Sequence, residues 1–245
     1  MLVWLLIERS IIRGRMSAVL LGMGSQTYYS IQHIQSAAYF AKQTARLQRR
    51  ALNNPLNPSL KVHVQSNFAA TIFTSVAFLE ALLNELWADC EQQDGGHLKD
   101  LPQDARHKIV DALQRAEKSA ITQKYKALLK AADKPQIPCG NRPLQDMKHL
   151  VDIRNNMVHY NAAWLDTGTP GMCRPGYLEE TELGAFIGRH LAHTPGLGWM
   201  NSANAEWAVR LVLLYAEAAA ENLGITSLHD HIRSELQPFT TPQPR

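Results

Sequence analysis

The sequence predicts an all-α protein that folds as an antiparallel helical bundle. Of its 245 residues, 45% are hydrophobic, which is enough for a sizeable core, and only 7% are aromatic, which disfavours a dense β-sandwich. Several long segments repeat apolar residues at steps of three and four, and no segment alternates in the manner of a strand. Long amphipathic helices bury their apolar faces against one another, so a bundle is the expected arrangement.

The first two predicted helices span residues 28–52 and 66–90. The first contains good helix formers and few breakers, and the Asn and Pro residues after it end the helix. The second has the strongest periodicity in the chain, with an apolar stripe formed by Phe68, Ile72, Val76, Leu79, Leu83 and Leu86. Glu80 and Asn84 lie one turn apart beside this stripe, and we expect both to be half-buried. As a structural role, they could bridge hydrogen bonds between helices.

Two Lys-rich amphipathic segments, 103–116 and 121–132, predict shorter helices that lie over the bundle. Residues 144–165 predict a fifth helix, after a loop that contains three prolines. The apolar side expected for this helix consists of Leu144, Met147, Val151, Val158 and Leu165.

The last third of the chain predicts a loop insertion followed by one long helix. Residues 166–200 are rich in Gly and Pro and predict irregular structure, with one short helix near 180–191. The Ala- and Leu-rich segment 203–223 predicts the last helix, which Gly224 caps. Three prolines follow Leu236, so the end of the chain is expected to fray.

These elements suggest a division of the chain into three parts. We expect a basic N-terminal helical extension over residues 1–60, a helical bundle domain over 61–236 and a disordered tail over 237–245. Residues 1–60 contain seven Lys/Arg and one acidic residue. Three clustered arginines in this part, Arg46, Arg49 and Arg50, are candidate contacts to RNA, although a solvated helix face is the other interpretation.

Composition also disfavours several classes of protein. No apolar stretch approaches the roughly 18 to 20 residues that a membrane-spanning helix needs. The three cysteines are odd in number and lack the paired spacing of zinc ligands. We therefore expect a soluble, cytoplasmic protein that has no disulfide framework, does not associate with a membrane and requires no metal or other cofactor.

The fifth predicted helix carries the most informative polar residues, Arg154, Asn155 and His159. At 100° per residue, Asn155 falls on the apolar stripe, His159 lies about 40° from it, and Arg154 lies about 140° from His159. A buried Asn is unfavourable unless it is hydrogen-bonded. Structural explanations remain open: Arg154 could pair with Asp152 or Glu80, and His159 could be a satisfied core histidine.

These residues resemble the R-N-x-x-x-H motif of the HEPN superfamily, small α-helical proteins common in prokaryotic toxin–antitoxin and antiviral systems. The segment 77–86, with the sequence AFLEALLNEL, is similar to the F-E-A-x-x-N helix that often precedes the motif. Together the two stretches make the resemblance more specific than either alone. It covers about residues 66–165.

The resemblance implies a dimer of helical bundles in which Arg and His from both subunits cut RNA without a metal. It assigns Arg154, His159 and Asn155 to catalysis, with Glu80 anchoring Arg154 and with Asn84 and Tyr160 in support. The implied function is a metal-independent endoribonuclease that acts as a toxin or antiviral effector. Its partners would be RNA, a second copy of the chain, and an antitoxin or another defence protein.

One residue departs from the pattern of the related toxins that a nucleotidyltransferase neutralises. In those toxins a Tyr usually stands two residues after the His, whereas here Asn161 occupies that position and Tyr160 is adjacent to His159. That partnership is therefore not expected. The alternative function is a non-catalytic HEPN bundle that binds RNA, a nucleotide or a protein partner.

Overall fold

Seven α-helices form most of the part of the chain that the structure describes. The computed structural model describes residues 11–12, 15–16, 29–92, 96–138, 140, 144–158, 182–227, 229–237 and 239. The helices are α1 (Tyr29–Asn53), α2 (Pro58–Glu91), α3 (Gln103–Arg115), α4 (Ile121–Ala131), α5 (Met147–Val158), α6 (Glu182–His190) and α7 (Ser202–Leu223). Short 3-10 turns occur at Gly96–Leu98, Leu144–Asp146 and Asp230–Ile232. The prediction of an all-α protein is confirmed for these residues, apart from one small hairpin, β1 (Ile11–Ile12) with β2 (Arg15–Met16).

The central element is α2, which packs against α1, α3, α4, α5 and α7. Its predicted apolar stripe is fully buried. The helix begins eight residues earlier than we predicted from the sequence, because Asn57 caps it and Pro58 occupies its first position. The buried side chains of Leu60 and Val64 continue the stripe toward this end at steps of four.

The expectation that no segment is long and apolar enough to span a membrane was wrong, because α2 meets both requirements by length and composition. Half of its most apolar stretch is, however, buried by the other helices. A core helix of a soluble protein has the same properties, so the burial explains why this helix is so apolar.

Helix α1 belongs to the core, which corrects the expectation of an N-terminal extension. It packs along α2 and α7, and its buried face shares one hydrophobic cluster with the rest of the chain. The Glu85 carboxylate of α2 also holds the start of α1, since it accepts hydrogen bonds from Ser30 N at 2.8 Å and Ser30 Oγ at 2.5 Å. A carboxylate at a helix N-terminus satisfies free N–H groups and opposes the positive end of the helix dipole.

Helices α3 and α4 agree with their predicted bounds to within one residue. The buried ring of Tyr125 anchors α4, because its hydroxyl donates to the Leu79 carbonyl at 3.1 Å. The same ring packs edge to face on Tyr215 of α7, with ring centroids 5.3 Å apart. These contacts connect α4 to α2 and α7.

The start of α7 is fixed by two buried asparagines. Asn201 caps the helix by accepting from Asn204 N at 3.2 Å, and its own Nδ2 donates to the Ala192 carbonyl at 2.6 Å. Asn204 Nδ2 donates to the same carbonyl at 2.8 Å. The two side chains thereby hold the segment after α6 against α7. At the other end, Gly224 caps the helix with φ of 75°, as predicted.

The segment that follows α7 is packed rather than frayed as far as residue 239. Leu236 is fully buried and Phe239 is 6% exposed, which corrects the expectation of a disordered tail from residue 237. The Phe239 carbonyl accepts from Arg210 Nη1 at 3.0 Å. The Glu235 carboxylate accepts from Gln35 Nε2 of α1 at 2.7 Å. This C-terminal segment (229–237 and 239) therefore bridges α1 and α7.

Candidate functional site

The orientation of α5 differs from the one we predicted from its apolar residues. Its buried side chains are Met147, Leu150 and Ile153, which are spaced by three. Of the predicted apolar side, only Met147 is buried, and Val158 is 54% exposed. Leu165 lies outside the described residues. The helix is therefore rotated so that Leu150 and Ile153 face the core.

This rotation places Arg154 beside α2. Its Nη2 atom lies 2.6 Å from Oε1 of Glu80, so the pairing that the sequence left open is made with Glu80. The Arg154 side chain is 26% exposed and the Glu80 side chain 46% exposed. The contact is a charge-assisted hydrogen bond at the surface of the bundle rather than a buried ion pair.

Asn155 makes the second contact to the guanidinium group. Its Oδ1 accepts from Arg154 Nη1 at 2.9 Å. Asn155 is partly buried rather than on the apolar stripe, because the rotation of α5 moves it away from the core. The two contacts engage different nitrogen atoms, Nη1 and Nη2, and restrict the position of the guanidinium group.

The guanidinium group keeps capacity for a further ligand. Arginine has five N–H donors, and Glu80 and Asn155 take one each. Arg154 has no other acceptor among the residues that the structure describes. A guanidinium group of this kind, partly exposed and fixed at two points, is well suited to hold phosphate oxygens.

The other predicted members of the motif lie partly outside the described residues. The described part of α5 ends at Val158, so His159 and Tyr160 lie outside the described residues. Asn84 lies on α2 and is exposed, which corrects the prediction that it is half-buried. It is one turn beyond Glu80 on the same helix.

Exposed apolar side chains accompany the ion pair on both helices. Phe73 of α2 is 36% exposed and stands seven residues before Glu80, which places it on the same helix face. Val158 is four residues after Arg154 and likewise shares its face. The surface around the Arg154–Glu80 pair is therefore partly apolar.

The three arginines predicted to contact RNA are exposed near the C-terminal end of α1. Arg46 and Arg50 are four residues apart and share a face of the helix. Helix α1 packs mainly against α2 and α7, whereas Arg154 projects from α5. The structure thus assigns the arginine cluster to a different helix from the Arg154–Glu80 pair, and gives no direct contact between them.

Sequence reasoning missed one aromatic contact beside the site. The ring of His149, also on α5, stacks on Phe186 of α6 with centroids 4.1 Å apart and planes at 14°. Its Nδ1 atom is buried with no hydrogen-bond partner among the described residues. His149 and Phe186 are far apart in the sequence, so no local sequence pattern accompanies their stack and periodicity could not reveal it.

Within the described residues, no group of three His, Cys, Asp or Glu side chains is arranged to hold a metal ion. The chemistry visible at the site is that of a fixed arginine with an acidic and an amide partner. No protein-family model, curated protein or solved structure matches this chain.

Proposed function

We propose that the protein is a metal-independent endoribonuclease of the HEPN type that acts in the cytoplasm as a toxin or antiviral effector. The observation that carries the proposal is the fixed guanidinium group of Arg154, which retains donors for a ligand and is followed five residues later by His159. An anion holder and an acid–base group at this spacing are what RNA cleavage by an internal nucleophile requires.

In the proposed reaction the ribose 2′-hydroxyl attacks the adjacent phosphorus and the bond to the 5′-oxygen of the next nucleotide breaks. His159 of one copy removes the proton of the 2′-hydroxyl, and His159 of a second copy delivers a proton to the leaving 5′-oxygen, because imidazole can act as base or acid near neutral pH. Arg154 stabilises the charge that accumulates on the non-bridging oxygens. Glu80 and Asn155 position Arg154.

One observation favours a second candidate, a non-catalytic bundle that binds RNA, a nucleotide or a protein. The Glu80 carboxylate lies 2.6 Å from the guanidinium group and offsets part of its charge. A neutralised pair attracts a phosphate less strongly than a free arginine does. The two candidates differ in whether bound RNA is cut.

The decisive experiment incubates the chain with RNA in EDTA and analyses the products. We expect a 2′,3′-cyclic phosphate and a 5′-hydroxyl, with no cleavage of DNA, which lacks the nucleophile. Arg154→Ala and His159→Ala should each lower the rate by about 10²- to 10⁴-fold. Matched controls are Arg189→Ala and His107→Ala, since both side chains are exposed on other helices and should be replaceable without loss.

Three outcomes would count against the nuclease. Undiminished cleavage by His159→Ala, or activity only with added divalent metal, would contradict the mechanism. Binding of RNA without any cleavage by the parent chain would support the second candidate instead.

A further inference from the structure

A second surface of the molecule has the features of a binding site. Helices α3 and α4 are joined by five residues and enclose an open groove of about 760 Å³. This volume lies within the range of roughly 300 to 1,000 Å³ that is usual for ligand sites. The alanines that line the groove allow the two helices to leave space between them. They are Ala112, Ala116, Ala127 and Ala131.

Three cations line this groove, Lys108 and Arg115 from α3 and Lys130 from α4. All three are exposed. None forms an ion pair with any residue that the structure describes. Asp133 is the single acidic side chain in the lining, so the groove carries a net positive charge. Three unpaired cations around one groove attract an anion more strongly than isolated surface lysines do.

The cations are distributed along the groove rather than gathered at one point. Lys108 and Arg115 are seven residues apart on α3, which corresponds to about 10 Å along the helix axis. Because a short connection makes α3 and α4 antiparallel neighbours, Lys130 near the end of α4 lies beside Lys108. Positive charge at both ends of the groove suits a ligand with several phosphates in a row. About 10 Å is the axial length of roughly three nucleotides in a helical strand.

The uncharged residues that line the groove indicate whether it would recognise the bases of such a ligand. No aromatic side chain lines the groove, so it offers no platform on which a base could stack. Ser119 and Gln123 add hydroxyl and amide groups near the Arg115 end. Contacts to phosphate and sugar give affinity and register without base specificity.

We propose that the groove between α3 and α4 binds the phosphate backbone of single-stranded nucleic acid, without base recognition. The groove is a site separate from Arg154, and the proposal stands whether or not the chain cuts RNA. In the context of a ribonuclease, it would hold part of the substrate away from the scissile bond.

The test measures the anisotropy of fluorescein-labelled oligouridylate and oligothymidylate at several salt concentrations. The protein is the full chain with Arg154→Ala and His159→Ala, which prevents cleavage. The affinity for both oligonucleotides should fall about tenfold or more at low salt when this chain also carries Lys108→Gln, Arg115→Gln and Lys130→Gln. The slope of log affinity against log salt should fall by about 2, because each single-strand phosphate contact contributes about 0.7. The matched control replaces the exposed residues Lys99, Lys118 and Lys126 with Gln, which removes the same charge outside the lining.

A gain-of-affinity variant makes the test independent of folding defects. Asp133 has φ of 55°, a conformation that Asn also tolerates, so Asp133→Asn removes only the opposing charge. It should tighten binding of both oligonucleotides. The proposal would be overturned if the groove variant and the control variant, each with three substitutions, lost the same affinity. It would also be overturned if Asp133→Asn did not raise the affinity. Binding of ATP as tight as that of the oligonucleotides would also overturn it, since a strand should use both ends of the groove. Groove-dependent binding together with an absence of RNA cleavage by the parent chain would reject only the nuclease.

Discussion

Arg154 combines two requirements that oppose each other. It must be held in place, which Glu80 and Asn155 achieve, and it must keep enough positive charge to attract a phosphate. Because both ionic groups are partly exposed, water screens their attraction. Glu80 therefore positions the guanidinium group and offsets only part of its positive charge.

Variants of Glu80 separate positioning from stability. Glu80→Gln keeps an acceptor oxygen near Arg154, whereas Glu80→Ala removes it. We expect Glu80→Ala to change the free energy of unfolding in urea by only about 0 to 1 kcal/mol, because the ion pair is partly exposed. The rate of RNA cleavage should fall more for Glu80→Ala than for Glu80→Gln. A loss of several kcal/mol in Glu80→Ala would mean that the pair is structural rather than functional.

The ion pairs of Glu217 affect the stability of the fold at low pH. Glu217 of α7 lies 3.7 Å from Nε2 of the buried His229 and 3.0 Å from Nη2 of Arg233. The His229 side chain is the largest cause that lowers the pKa of Glu217 below its ordinary value of 4.5. Partial burial opposes this shift, and the Arg233 guanidinium group adds to it.

The lowered pKa of Glu217 predicts how stability depends on pH. The folded state binds this proton more weakly than the unfolded state, so the stabilisation is complete above pH 4.5 and is lost as pH falls through the folded-state pKa. Urea unfolding of Glu217→Gln should therefore show a deficit in the free energy of unfolding near neutral pH that shrinks as the pH falls below 4.5. Glu182→Gln is the matched control, because this carboxylate is 75% exposed and, among the described residues, bonds only to the exposed Lys148. A constant deficit across the pH range would contradict this assignment.

One contact of the candidate site could be predicted at the level of single residues. The contact between Arg154 and Glu80 was among the pairings that the two helical wheels allowed, and the structure selects it. The inward direction of Asn155 was wrong, because a helix of mixed composition has more than one possible apolar face. Only packing against α2, α6 and α7 decides which face is buried.

At the scale of elements, two helix caps of the same type differ in their surroundings. Asn57 caps α2 in an exposed turn, whereas Asn201 caps α7 with its side chain fully buried. Asn201 also donates to the carbonyls of Ala192 and Gly198 at 2.6 and 3.1 Å. The second asparagine thus fixes both a helix end and the loop before it.

This difference predicts unequal effects of the same substitution. Asn201→Ala should lower the free energy of unfolding by about 2 kcal/mol or more, because a cap and buried hydrogen bonds are lost together. Asn57→Ala should cost about 1 kcal/mol or less, since water replaces the lost acceptor. Urea denaturation of the two variants and the parent measures both values. Equal losses would show that the buried contacts of Asn201 contribute nothing beyond the cap.

The boundaries of the helices show where sequence patterns were sufficient. Six of the seven helices begin within three residues of their predicted start, because breakers and caps flank them. The exception is α2, which begins at Pro58 although its predicted start is residue 66. Most of the residues around the buried Leu60 and Val64 are exposed, and they include the apolar Val62, so only the four-residue spacing reveals the helix.

At the scale of the whole molecule, the apolar residues beside Arg154 bear on assembly. Phe73 and Val158 are exposed on the faces that carry Glu80 and Arg154. An RNA-cleaving site with one His and one Arg is sparse, whereas two copies would supply both proton-transfer partners. We therefore expect a homodimer through this surface.

Light scattering at micromolar concentration should give twice the mass of the chain. Val158→Glu should give a monomer, because an unpaired carboxylate in an interface is strongly unfavourable. Val62→Glu is the matched control, since Val62 is 58% exposed on the first turns of α2, compared with 54% for Val158. A parent chain that stays monomeric would remove the second set of catalytic groups and weaken the nuclease proposal.

The bridge that the C-terminal segment makes to α1 has a consequence for biosynthesis. Gln35 and Lys42 of α1 bond to Glu235, and Lys42 lies over the ring of Phe239. These contacts join residues about two hundred positions apart, so α1 leaves the ribosome long before its partners exist. The core face of α1 packs on α2 and α7, whereas its contacts to residues 229–237 and 239 form only after that segment has emerged. The contacts that tie the C-terminal segment to α1 are therefore among the last of the described contacts to form during synthesis.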